Sequence, residues 1–138
     1  MTKQEEEKKE LMRRFQEEVF AAGNVDVLDE FLAEDFVQHY PKGRVLDGLA
    51  EFREEVGSEL AAFPDLSPTI QDVVAEEDLV VVRLVVRGTH EGEFMGHAAT
   101  GNEFEIDEMH MARIEDGKLV EQWSQADLVG MLEQIGVA

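Results

Sequence analysis

The chain has 138 residues, 43% of them hydrophobic, which is enough for one domain with a real core, and it has no cysteine to form a disulfide or a thiolate metal site. Its 32 acidic residues against 12 Lys and Arg give a net charge of -20, which repels nucleic-acid phosphates and anionic lipid alike. No run approaches the length that spans a bilayer, and the opening MTKQEEEKKE lacks the apolar stretch of a signal peptide, so a cytoplasmic protein without nucleic-acid or membrane partners is expected.

The acidic residues are spread along the whole chain, while lysine is confined to Lys3, Lys8, Lys9, Lys42 and Lys118. Such a surface stays hydrated in concentrated salt, and a halophilic protein is the working expectation beside an over-charged engineered one. No D-x-D-x-D-G loop is present to bind calcium.

Residues 3–22 read as a helix, with Leu11, Phe15 and Val19 every fourth residue, Met12 beside them and charge on the other face. Gly23 is placed to end it. A short helix fits VDVLDEFLA, where Val27, Leu28, Phe31 and Leu32 form a stripe. The stretch EDFVQHYPKGRVLDG is broken by Pro41 and Gly43 and reads as irregular. Asp47 can cap a third helix over residues 48–62, with Leu49, Phe52, Val56, Leu60 and Phe63 at helical spacing and Pro64 after it.

From residue 67 the period changes. PTIQDVVAEED suits a strand and turn, and LVVVRLVVRGTHEG, residues 79–92, is rich in β-branched residues and reads as a long central strand. Val80, Val82, Leu84 and Val86 share one face, while Leu79, Val81, Arg83, Val85 and Arg87 share the other. Both faces are mainly apolar, which implies cover on both sides and favours a homodimer. EGEFMGHAATGNEF reads as a loop. EFEIDEMHMARI and KLVEQWSQAD read as the last two strands, joined by Asp116-Gly117, a hairpin turn. LVGMLEQIG reads as a closing helical turn. Helices first and antiparallel strands after them make an α+β layout over residues 1–138, a curved sheet wrapped around helices as a cone with an internal pocket.

The chemistry-bearing residues concentrate on the final hairpin. Glu108 and His110 are two apart on a strand and so face the same side, in a row with Phe104, Ile106, Ala112 and Ile114. A carboxylate and an imidazole among apolar neighbours suggest a cavity wall and proton transfer. What joins them depends on the turn. A two-residue loop sets Trp123 opposite His110 with Asp127 on the same face. A three-residue loop with a bulge sets Gln122 opposite His110 and Ser124 beside Glu108. Trp123 could stack on a planar ligand or belong to the core, and Asp127 could face the pocket or cap the last helix. His39, before Pro41, and His90, at the end of the long strand, are further candidates at the mouth of the cone, whereas His97 reads as a surface group. No H-x-x-x-H or H-E-x-x-H pair occurs, so no metal site is expected.

Taken in order, AAGNVDVLDEFLAEDFVQH, AAFPDLS, RGTHEGEFMG, TGNEFEI and RIEDGKLVEQWSQADLVGMLEQIG resemble the SnoaL-like polyketide cyclase or ester cyclase family, of the nuclear-transport-factor-2-like superfamily. The resemblance covers nearly the whole chain. It implies a cone-shaped α+β fold and cofactor-free acid–base chemistry, such as aldol cyclisation, isomerisation or hydration, on a hydrophobic carbonyl compound. The cyclases of the family use an aspartate near the end of the last strand. Aligned through Asp116-Gly117-Lys118, that position holds Ser124 here. The accompanying histidine is His110, and Asp127 matches the aspartate of a W-x-x-x-D pattern in the wider family. His39 falls where relatives often place a pocket histidine. Ala98-Ala99 stands where relatives often carry Pro-Pro. The resemblance thus implies His110, Glu108 and Asp127 as catalytic groups and Trp123, Ser124, His39 and His90 as substrate contacts. The missing aspartate leaves a non-catalytic lipophilic-ligand-binding protein as the alternative.

Overall fold

Thr2 starts the first helix with a reciprocal cap: its hydroxyl accepts from the Glu5 amide, and the Glu5 carboxylate accepts from the Thr2 amide. The computed structural model describes residues 1–137. Helix α1, Lys3–Phe15, runs into one wide π-helical stretch, Gln16–Ala21, which turns Gln16 as well as Val19 into the interior. A short 3-10 turn, Val25–Val27, leads to α2, Leu28–Phe31.

Two strands follow where the sequence reads as irregular: β1, Leu32–His39, and β2, Val45–Asp47. The stripe at Leu28 and Phe31 is helical as expected, but the chain is extended from Leu32 onward. The alternation there is masked because Gln38 takes an inward place beside Phe36. Asp47 lies in β2 and does not cap the third helix, α3, Leu49–Ala62; the residue at its N-cap is Gly48, at φ 100°.

The remaining strands are β3, Ser67–Glu76, β4, Leu79–Thr89, β5, Glu103–Glu115, and β6, Lys118–Ala126, and the last helix is α4, Leu128–Ile135. They form one unclosed six-stranded sheet in the order β2-β1-β6-β5-β4-β3. All neighbouring pairs are antiparallel except β1 with β6. The parallel pair exists because α3 and the three strands after it carry the chain from β1 round to the far edge and back.

The helices cover one face of this sheet. Met12, Phe15 and Val19 from the first helical segment, Phe52 and Val56 from α3 and Val80, Val82, Leu84 and Val86 of β4 share one buried core, in which Phe52 packs edge-on against Phe36 of β1. The other face of β4 is open among the described residues: Arg83 and Arg87 are exposed and paired with Asp72 and Glu105, and Leu79, Val81 and Val85 are only half-buried. At the end of α3, Asp65 accepts from the amide and the hydroxyl of Thr89, which ties the helix exit to the end of β4. The loop after β4 is pressed against the same place. A Cβ at Gly92 would lie 2.3 Å from the carbonyl oxygen of Ala61, so only glycine fits there.

A polar cluster on the inner face of the final hairpin

The hairpin between β5 and β6 decides which side chains meet. Its turn is the two-residue one, with Asp116 at φ 50° and Gly117 at φ 75° and Glu115 opposite Lys118. Past the turn the register slips: Ile114 faces Leu119, but Arg113 faces Glu121. The extra residue is Val120, a bulge in β6 that the turn chemistry does not reveal. One added residue reverses every later side chain, so His110 faces Ser124 and Ala112 faces Gln122, neither being the partner expected from the turn alone.

The inner row so formed is polar and continuous. His110 Nδ1 lies 2.6 Å from Ser124 Oγ, and His110 Nε2 lies 3.1 Å from Glu108 Oε1. Gln38 Nε2 donates to Ser124 Oγ at 2.7 Å, and Gln122 Nε2 donates to Gln38 Oε1 at 2.9 Å. Gln38, Gln122 and Ser124 are buried, while the His110 and Glu108 side chains keep 13% and 14% of their surface, so the chain of bonds meets solvent at its Glu108–His110 end.

Two further ionisable groups, from other elements, are near enough to feel the charge of Glu108. Glu59, on α3, is half-buried; burial of its carboxyl, reinforced by the charges of Glu108 and Glu55, pushes it up to about 8. Tyr40, just after β1, is raised as well, by burial first and then by Glu55 and Glu59. The Arg44 guanidinium lies 4.6 Å over the Tyr40 ring and bonds Glu55 at 2.9 Å, which orders this rim. The site therefore holds two carboxyl groups in contrasting surroundings: Glu108 hydrogen-bonded to an imidazole, Glu59 desolvated without a counter-charge.

The other expected site residues lie elsewhere. Asp127 is exposed and caps α4, accepting from the Gly130 amide at 2.9 Å; it does not reach His110. It lines, with Asp107, Glu108, Met109, Gln125 and Ala126, an open cleft of about 210 Å³ that does not take in His110. Trp123 and His39 are turned to the opposite face of the sheet by the Val120 bulge and by the parallel pairing of β1 with β6. There they stack on each other, ring centres 5.1 Å apart and planes 7° apart, and His39 Nε2 meets Glu121 at 2.6 Å. His90 is fully buried beside Phe63, with Nδ1 accepting from the Thr100 amide at 3.3 Å, and so is not open to the mouth. His97 is exposed, as read. No group of three His, Cys, Asp or Glu among the described residues has metal-binding geometry.

The sequence does not single out Gln38, Tyr40 or Glu59, and it offers Gln122 only as an alternative partner of His110, whereas Gln122 faces Ala112. Glu59 carried one available signal: it is adjacent to Leu60 on the helix of residues 48–62 and three after Val56, on the flank of the apolar stripe.

Residues 10–135 match the family model described as SnoaL-like polyketide cyclase. The chain is 29% identical to the nogalonic acid methyl ester cyclase of Streptomyces nogalater over 120 residues, covering 85% of this chain and 89% of that one. It is 26% identical to the aklanonic acid methyl ester cyclase DauD of Streptomyces sp. (strain C5) over 140 residues, covering 92% and 80%. Among solved structures, IdmH of Streptomyces antibioticus is 37% identical and superposes with a TM-score of 0.82 over 94% of this chain and 99% of that one. A structure from Jannaschia sp. CCS1, at 22% identity, shares the fold with a TM-score of 0.92 over 100% and 97%.

Proposed function

The chain belongs to the SnoaL-like polyketide cyclase family, and from that premise we propose that it closes a ring in a hydrophobic polyketide ester by acid–base chemistry of its own side chains. The observation that carries the reading is the Glu108–His110 pair at the accessible end of an otherwise buried polar row. An intramolecular aldol closure requires a base to remove a proton beside one carbonyl and a donor to protonate the oxygen of the other as the new C–C bond forms. The Glu108–His110 pair takes the proton. Glu59, neutral below about pH 8, and the Tyr40 hydroxyl, both within range of the Glu108 charge, supply the donors. Two carboxyl groups with opposite surroundings divide the acid and base roles between them.

The substrate class follows from the relatives, which act on nogalonic and aklanonic acid methyl esters. The test is turnover of such methyl esters by the parent protein and by His110→Ala and Glu108→Gln. A loss of about 10²–10⁴-fold in kcat is expected on removing a positioned proton-transfer group. No turnover of any ester in the panel by the parent removes the cyclase reading.

Ser124 favours a second reading. It stands where the family aspartate falls, and a site without that carboxylate holds a lipophilic ligand without converting it. Retention of such a ligand in native mass spectrometry, with flat activity, supports this reading over the first.

The exposed face of the sheet supports a homodimer. Val74, Val81, Met111, Trp123, His39 and Val45 lie in one row across all six strands, opposite one another in the ladder. Val74 is 59% exposed and Met109, beside the row, 48%. Two copies placing this row together would cover the second apolar face of β4. Sedimentation in low and high salt tests it; a monomer at micromolar concentration in both counts against it.

A further inference from the structure

The direction of hydrogen bonding along the buried row is fixed at one residue. Gln38 Nε2 lies 3.4 Å from the carbonyl oxygen of His39 and 2.7 Å from Ser124 Oγ. A backbone carbonyl only accepts, so turning the Gln38 amide over would set two oxygens against each other. With Gln38 donating, Ser124 Oγ is an acceptor from that side, and among the described residues His110 Nδ1, 2.6 Å away, is the one acceptor left for the serine's own hydrogen. Nδ1 then receives a hydrogen bond and carries no proton, and the ring proton sits on Nε2, facing Glu108 Oε1 at 3.1 Å. The same polarity explains a buried defect. Gln122 must donate through Nε2 to Gln38 Oε1, which leaves its own Oε1 buried without a partner. Reversing Gln122 would bring its oxygen against Gln38 Oε1, so the orphaned acceptor is a consequence of the direction set upstream.

We infer that Gln38 is a positioning residue that holds His110 as the Nε2–H imidazole, so that the proton acceptor offered to substrate is the Glu108 carboxylate and the ring is its donor. Neither ring nitrogen has a free lone pair in this arrangement. Nδ1 is occupied by the Ser124 hydroxyl and Nε2 by its own proton. Glu108 has a second oxygen, Oε2, that no side chain among the described residues bonds, and its side chain keeps 14% of its surface. In the ring closure the substrate C–H proton passes to Glu108 Oε2 and the C–H electron pair becomes the enolate; the enolate carbon bonds the second carbonyl carbon, whose oxygen takes its proton from Glu59, and the proton held on Glu108 then restores Glu59. His110 keeps its Nε2–H bond to Oε1 throughout. This assignment rests on the cyclase reading for the reaction, but the tautomer does not.

Long-range proton–nitrogen NMR of the ring, with the His110 signals identified by their loss in His110→Ala, reads the tautomer without any substrate. At neutral pH the proton is expected on Nε2 with a bare Nδ1. In Gln38→Leu the two nitrogens are expected to move toward a common, averaged position as the tautomers mix. Should Gln38→Leu not fold, Ser124→Ala, which removes one oxygen, is expected to give the same averaging. A wild-type ring protonated on Nδ1, or a ring unchanged in the folded variants, overturns the inference. With a turned-over ester in hand, Glu108→Gln is expected to lower kcat about 10²–10⁴-fold and His110→Gln, whose amide can still donate to Glu108, by clearly less; the reverse order also overturns it. An Nε2–H ring without turnover of any ester sinks the cyclase reading alone, and turnover with an Nδ1–H ring sinks this inference alone.

Discussion

His110 and Ser124 sit directly opposite each other in the β5–β6 ladder, joined Nδ1 to Oγ at 2.6 Å. Ser124→Ala leaves the Gln38 amide and the imidazole without their shared partner inside the sheet. The variant is expected to lose about 1–3 kcal/mol of stability, since buried polar groups without partners carry that penalty. Urea unfolding of the two proteins measures it, with a lower midpoint at unchanged slope as the expected result.

Glu59 makes stability depend on pH. Its folded-state value is raised from the ordinary 4.5 to about 8, so the folded protein binds a proton that the unfolded chain has released. The sign is then fixed: the group's contribution is intact below about pH 4.5, falls as pH rises, and is fully lost above about 8. The slope attributable to this residue is at most about 1.4 kcal/mol per pH unit. Glu59→Gln is expected to flatten thermal melts between those limits and to melt higher than the parent at pH 8. Parallel curves for the two proteins would refute the burial argument.

The Val120 bulge sets the face of everything after it. Deleting Val120 is expected to turn Gln122 and Ser124 outward and Trp123 inward, and so to destroy the polar row even where the protein stays folded. Trp123 is the one tryptophan, so its fluorescence reports the change: emission shifts to the blue and quenching by iodide weakens. An unaltered spectrum with retained activity would show that the register is set elsewhere.

Trp123 and His39 stack on the outer face, so a change there tests the proposed dimer apart from the chemistry. Trp123→Ala is expected to weaken a dimer at least tenfold in sedimentation while leaving KM for the methyl ester within about twofold, because neither ring touches the polar row. A raised KM with unchanged assembly would return Trp123 to the substrate site.

Charge of -20 repels itself most at low ionic strength. Raising salt from about 0.1 M to 1 M shortens the screening length from about 10 Å to 3 Å and is expected to raise Tm by several degrees. A melting temperature indifferent to salt argues against the halophilic reading.

Much of this protein was legible from side-chain pattern. The helices at 3–15 and 49–62, the long strand through Val80, Val82, Leu84 and Val86, and the Asp116-Gly117 turn are local features: each follows from the period of apolar residues or the backbone preference of one dipeptide. The shared face of Glu108 and His110 is equally local, because residues two apart on a strand always point the same way. What stayed hidden was β1, whose inward Gln38 interrupts the apolar alternation, and with it every contact that depends on strand order.

The composition and periodicity of the chain by themselves determine an acidic α+β protein with a carboxylate and an imidazole side by side on an inner strand face. The choice of their companions belongs to the tertiary structure. A single unpaired residue in β6 decides that Ser124 and not Trp123 meets His110, and α3, distant in sequence, brings Glu59 to Glu108. Periodicity is a property of neighbours along the chain, whereas register and desolvation are properties of what lies across from them, and proton transfer depends on the second kind.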